Sequence, residues 1–143
     1  MPIWFRPPQL AEFTAIHVGT AVERLGIEFT GVGDDWLSAR MPVDTRTVQP
    51  FGILHGGASV LLAETLGSCA GNLCVDPEQL YCVGLDINAN HVRAVREGWV
   101  TGVARPLHLG RTTQIWEIRI SDAADRLVCI ARLTLSVLAR ELK

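Results

Sequence analysis

An excess of either charge is missing from this 143-residue chain: 13 Lys and Arg stand against 15 Asp and Glu, a formal net charge of -2. Nucleic acid and anionic membrane surfaces recruit proteins through a positive field, so neither is an expected partner. No apolar run is long enough to cross a bilayer. Met1 to Pro8 carries Trp4, Arg6 and three prolines. It has neither the apolar stretch nor the small-residue cleavage site of a signal peptide, and a cytoplasmic location is expected. The cysteines Cys69, Cys74, Cys82 and Cys129 form no CxxC pair and lie in or beside apolar stretches. Reduced, mostly buried thiols are expected, rather than disulfides or a zinc site. His17, His55, His91 and His108 show no metal-ligand spacing, so no metal and no cofactor is expected. Repeats, low-complexity tracts and linkers are absent too.

What is present is enough apolar material for a core: 48% of residues are hydrophobic and 20% charged. Residues 1–143 therefore read as a single domain. Gln9 to His17 is a plausible helix with Leu10, Phe13 and Ile16 on one face, and Thr20 to Leu25 a second short one. Ile27 to Val32 and Trp36 to Val43 read as a hairpin about Gly33-Asp34-Asp35. Asp44 to Gly52 is irregular. His55-Gly56-Gly57 then opens a long helix to about Leu73. Ala58, Leu62, Leu66, Cys69 and Leu73 form its apolar stripe, and Ala63, Gly67 and Ala70 a small-residue face. A helical glycine costs about 1 kcal/mol against alanine, which close approach by another backbone would offset. Cys82 to Val92 alternates, with Val83, Leu85, Ile87 and Ala89 on one side and Asp86, Asn88 and Asn90 on the other. Trp99 to Leu107, Gln114 to Ile120 and Leu127 to Leu138 are three further strands. Short connections suit antiparallel neighbours. One long helix against one antiparallel sheet is an α+β fold. A single helix covers one sheet face; the other still carries apolar residues, so an oligomer is expected.

The densest chemistry lies in Gln49-Pro50-Phe51-Gly52-Ile53-Leu54-His55-Gly56-Gly57 followed by Glu64. The first amides of a helix have no internal acceptor and carry partial positive charge. A carbonyl oxygen against the Gly56 N–H has the geometry of an oxyanion hole. Glu64 is the only acid between Phe51 and Val75. Among Leu61, Leu62, Ala63 and Leu66 it is expected to be desolvated and so more basic. Ser68 lies one turn further on. An ordinary helix start, a solvated glutamate and a loop glutamine would leave the same letters, and residue types alone do not decide.

The run Met41 to Ser59, then Leu62-Ala63-Glu64-Thr65-Leu66-Gly67-Ser68, Val83 to Arg93, and Pro106-Leu107-His108-Leu109-Gly110, resembles the hotdog-fold acyl-CoA thioesterases. The resemblance covers almost the whole chain. It is closest to the branch of 1,4-dihydroxy-2-naphthoyl-CoA hydrolase of menaquinone synthesis, with the enterobactin proofreading thioesterase nearly as similar. It implies an antiparallel sheet wrapped around one long central helix. It also implies an acyl-CoA substrate and a homodimeric site within a homotetramer. Glu64 matches the catalytic carboxylate, supplied by one subunit. Gln49, His55 and Gly56 match groups of the other subunit at the thioester carbonyl and the attacking water. Ser68 matches a hydroxyl that orients the water or the acyl group. Gly84, the run His91, Val92, Arg93 and Ala94, and the run His108, Leu109, Gly110, Arg111, Thr112 and Thr113 match CoA-binding positions. Arg93 and Arg111 suit phosphates, although solvated loop charges look the same. The chain departs at Arg111 and Thr112, where close relatives carry a small hydroxyl residue and then a basic one.

Three functions follow as alternatives. The first is a thioesterase acting on an aryl-CoA or on the same phosphopantetheine arm of a carrier protein, with Glu64 as nucleophile or general base. Others are a hotdog hydratase or dehydratase using His55 with Glu64, and a non-catalytic acyl-CoA-binding module.

Overall fold

The computed structural model describes residues 1–141. Two short helices, α1 (Leu10–Ile16) and α2 (Ala21–Arg24), lead into β1 (Glu28–Val32) and β2 (Leu37–Pro42). The long helix α3 (Gly56–Leu73) follows, then β3 (Leu80–His91), β4 (Trp99–Leu109), β5 (Thr113–Ser121) and β6 (Leu127–Ala139). All six strands form one sheet in the order β1-β2-β4-β5-β6-β3, and every neighbouring pair is antiparallel. This is the expected α+β hotdog arrangement. No helix among the described residues is long and apolar enough to cross a membrane.

The sheet wraps α3 because its strands turn alternate side chains inward. Trp116, Ile118 and Ile120 of β5 and Leu133 and Leu135 of β6 are wholly buried against Leu62, Ala63, Leu66 and Ala70 of the helix. The small-residue face is the point of closest contact. A Cβ on Gly67 would lie 2.5 Å from Leu133 Cδ2, and one on Gly102 2.7 Å from Leu66 Cδ1. The partner that approaches Gly67 is thus a side chain of the chain's own β6, not another backbone. The small face is spent within the protomer.

One further expectation holds in part and two are corrected. The outer sheet face does carry apolar residues, Val83, Val103, Ile115 and Ile130, among a polar majority of Thr101, Arg105, Glu117, Arg119, Arg132 and Thr134. Other exposed apolar side chains include Leu85 and Val92, on β3 and beside it, and Leu107 and Leu109 on the β4–β5 hairpin. The alternation along β3 also breaks. Gly84 pairs with Leu135 but Asp86 with Thr134, so Leu85 is the extra residue of a bulge. Val83 therefore shares a face with Ser136, while Ile87 and Ala89 share the helix-facing side with Leu133 and Ala131. At α1, Phe13 is buried as expected but Ile16 is exposed.

β3 lies at the edge of the sheet and pairs only with β6. Its start is tied to α3 by Asn72 and by the Cys82 thiol, which donates to the Gly71 carbonyl at 3.5 Å. Asn72 donates from Nδ2 to the Ser68 and Cys82 carbonyls, and its Oδ1 accepts the Cys82 N–H at 2.9 Å. Those ties set β3 beside the helix face that carries Glu64 and Ser68.

Candidate active site

The start of α3 is built by the loop before it. Thr47 is buried, and its hydroxyl donates to the Pro42 carbonyl at 2.7 Å. Its own carbonyl accepts the His55 N–H at 2.8 Å. This holds His55 in extended backbone as the helix N-cap, with Nδ1 accepting the Gly57 N–H at 2.8 Å. An Nδ1 that accepts is unprotonated in the neutral ring, so Nε2 carries the hydrogen and is a donor. The Gly56 N–H, next to it, has no acceptor among the described residues. A Cβ on Gly56 would lie 2.9 Å from His91 Nε2, so the His91 ring fits against the helix start because position 56 has no side chain. Gln49 begins a tight turn closed by Gly52 at φ 78°, and its Oε1 accepts the Phe51 N–H. Gln49, Gly56, Ser59 and all four residues His91 to Ala94 line one groove of about 420 Å³.

Glu64 stands elsewhere. Eight residues separate it from Gly56, about 12 Å of helix rise. Its carboxylate lies over β3, where a Cβ on Gly84 would be 2.9 Å from Oε1. Glu64, Ser68, Gly84 and His17 line a second groove of about 480 Å³. The Ser68 hydroxyl makes no hydrogen bond among the described residues. The expected desolvation of Glu64 by its own neighbours is not met: the side chain is exposed. Leu62, Ala63 and Leu66 point into the sheet and cannot cover a carboxylate on the opposite side of the helix.

The candidate CoA contacts divide in the same way. Gly84 sits with Glu64. His91 to Ala94 sit with Gly56. His108 to Thr113 form the β4–β5 hairpin, closed by the Gly110 N–H on the Thr113 carbonyl at 2.9 Å. That hairpin belongs to the far end of α3, where Gln114 packs on Gly71. Gly56 and Gly71 are about 22 Å apart along the helix. Within one chain the 91–94 and 108–113 runs therefore do not meet. Arg93 and Arg111 are exposed, and neither has a carboxylate partner among the described residues.

All four cysteines are free thiols, as expected. Burial pushes Cys69 and Cys74 up to about 12 and Cys82 up to about 11, with Cys82 adding to the shift at Cys74. Cys69 lines the Glu64 groove, but as a protonated thiol it is no rival nucleophile at neutral pH. Among the described residues no three of His, Cys, Asp or Glu gather where a metal could be held. The residue that sequence reasoning passed over is His17, weighed only as a metal ligand. Its place at the end of α1 brings it to the Glu64 groove, a long-range contact that no local spacing announces.

An open amide and a fixed imidazole N–H at a helix start suit the oxygen of a carbonyl. A carboxylate with a hydroxyl one turn away suits attack on one. Known proteins agree with that chemistry. Residues 51–129 match the family model described as Thioesterase superfamily. The chain is 56% identical over 136 residues to 1,4-dihydroxy-2-naphthoyl-CoA hydrolase of Escherichia coli, covering 95% of this chain and 99% of that one. It is 57% identical to the proofreading thioesterase EntH of Cronobacter turicensis, covering 95% and 98%. The crystal structure of a mutant thioesterase from Pseudomonas aeruginosa superposes with a TM-score of 0.95 at 53% identity, covering 96% of this chain and 99% of that one. A thioesterase structure from Haemophilus influenzae gives 0.93 at 51% identity, covering 96% and 95%. The chain is thus a thioester hydrolase and belongs to the Thioesterase superfamily.

Proposed function

We propose that the chain hydrolyses an aromatic acyl-CoA thioester in a site made by two protomers of a cytoplasmic homo-oligomer, a tetramer of two dimers. The observation that carries this reading is the separation along α3. One carbonyl cannot touch the Gly56 N–H and the Glu64 carboxylate of the same helix, about 12 Å apart. Neither group has a partner among the described residues, and the edge strand β3 beside Glu64 carries exposed Val83 and Leu85. A second copy set against that edge brings its helix start to the first copy's Glu64. It also supplies the desolvation that Glu64 lacks.

In that arrangement the thioester carbonyl oxygen accepts from the Gly56 N–H, with His55 Nε2–H as a second donor. Negative charge developing on the oxygen is met by donors already in place. Glu64 either adds to the carbonyl carbon, giving an anhydride that water then opens, or takes a proton from the water that adds. By either route the C–S bond breaks and CoA leaves as a thiolate. The Ser68 hydroxyl and the Gln49 amide orient the water. The bare Gly84 leaves room for the carboxylate. His91 to Ala94 and the 108–113 hairpin, from different protomers, hold the CoA moiety through Arg93, Arg111 and backbone donors.

The aryl preference rests on the relatives named 1,4-dihydroxy-2-naphthoyl-CoA hydrolase and proofreading thioesterase. The first would place the reaction in menaquinone synthesis. The second keeps a carrier-protein thioester as another substrate, since its phosphopantetheine arm is the same. Thiol release from benzoyl-CoA, from an enoyl-CoA and from a benzoyl carrier protein tests the reading. Release from benzoyl-CoA that disappears in Glu64→Gln supports it. Hydration of the enoyl-CoA without thiol release, or no release above the blank, contradicts it.

A further inference from the structure

His17 is an aromatic, hydrogen-bonding side chain in the Glu64 groove that the mechanism above does not use. Its ring is held on two sides. Nδ1 lies 2.7 Å from the Phe13 carbonyl, and the ring stacks on Phe29 at 5.5 Å with 19° between planes. A carbonyl can only accept, so Nδ1 carries the hydrogen and Nε2 of the neutral ring is an acceptor. Its one neighbour of hydrogen-bonding type among the described residues is the Cys69 thiol, at 3.9 Å. A thiol is a weak donor, and that distance is long even for sulfur. Burial holds Cys69 as the thiol, so no ion pair occupies the nitrogen. A fixed, under-used acceptor thus borders a groove whose other polar groups are Glu64, Thr65 and Ser68. The Thr65 hydroxyl is already spent on the Leu61 carbonyl.

The room beside it suits a ring. Ser68 and Cys69, though not His17, also line an adjoining, mostly apolar cavity of about 390 Å³ that includes Phe5, Phe13, Ile16 and Leu73 with Arg6 and Glu12 at its edge. From position 64 to position 68 is one helical turn, about 6 Å. An acyl group with its carbonyl at Glu64 runs along that turn and reaches the end of α1 with its far edge.

We propose that His17 is a specificity-determining residue: its Nε2 accepts a hydrogen bond from a hydroxyl on the ring of an aromatic acyl group. The ring hydroxyl takes the place of the Cys69 thiol as donor. The proposal rests on the thioesterase reading and deepens it, by making hydroxyaryl thioesters better substrates than unsubstituted ones.

The test compares 2-, 3- and 4-hydroxybenzoyl-CoA with benzoyl-CoA in the full chain. At least one isomer is expected to exceed benzoyl-CoA in kcat/KM, and His17→Leu to lower that ratio about tenfold. His17→Gln, which keeps an acceptor oxygen, recovers part of the ratio. Equal losses on both substrates would show a structural role only and overturn the proposal. So would a wild-type ratio near one for all three isomers. Binding of the matching non-hydrolysable phenacyl-CoA thioethers separates the two readings. If no thiol is ever released, the reaction is wrong. The tightened binding of the hydroxylated thioether, and its loss in His17→Leu, still decides the role of His17.

Discussion

The two sides of α3 differ in how far the chain completes itself. On the sheet side every position is used. Leu62, Ala63, Leu66 and Ala70 are wholly buried, and Leu133 fills the space above Gly67. On the other side an exposed carboxylate, and a hydroxyl and a helix-start amide without a partner among the described residues, lie along the same eighteen residues. Folding accounts for the first side. In the proposed function, a second protomer and a substrate complete the second. The contrast separates residues whose loss is felt as stability from residues whose loss is felt as rate.

The sharpest break in that division would come from Glu64. Glu64→Gln is expected to lower kcat for benzoyl-CoA about 1,000-fold while leaving the melting temperature in place, since no partner in its own chain is lost. A large drop in thermal stability would move Glu64 to the structural side. Gly56→Pro comes next. Proline suits the first position of a helix, and the extended backbone of His55 tolerates a following proline. The N–H is deleted, and the added ring also shifts the exposed tip of His91, whose own effect a His91→Ala control measures. A loss of about 100-fold in kcat, with circular dichroism unchanged, is expected.

On the sheet side the expectation reverses. Gly67→Ala puts a methyl where Leu133 stands, and a loss of about 1–3 kcal/mol in denaturant unfolding is expected, with kcat per folded molecule retained. The smallest effect is expected at the rim. Arg93→Ala should raise KM for benzoyl-CoA about three- to tenfold with kcat little changed, and less so at high salt. An equal fall in kcat would place Arg93 at the reacting atoms instead.

Much of this was legible in the letters. The periodicity of α3 and the order of the strands gave the fold, because each is a local pattern that tertiary contacts reinforced. The His-Gly-Gly helix start was readable for the same reason: capping is local. What was not legible is long-range. The bulge at Leu85 shifts the side-chain parity within β3, and nothing in an alternating run marks where the extra residue falls. The burial of Glu64 was misjudged because its apolar neighbours in sequence point to the other side of the helix. The small face around Gly67 was assigned to a second backbone because a sequence does not say that Leu133 arrives there. His17 meets the Glu64 groove only through the packing of α1 against β1, which sets its ring beside Cys69 of α3.

The shared site is tested most directly by mixing two inactive variants. Glu64→Gln and Gly56→Pro are purified separately, then dissociated and reassociated in equal amounts, with oligomeric state followed by gel filtration. A site that takes Glu64 from one protomer and the Gly56 amide from the other leaves one intact site in each mixed dimer. Random pairing then restores about a quarter of wild-type thiol release. If mixed dimers form and the activity stays at the level of the separate variants, both groups act within one chain and the account is wrong.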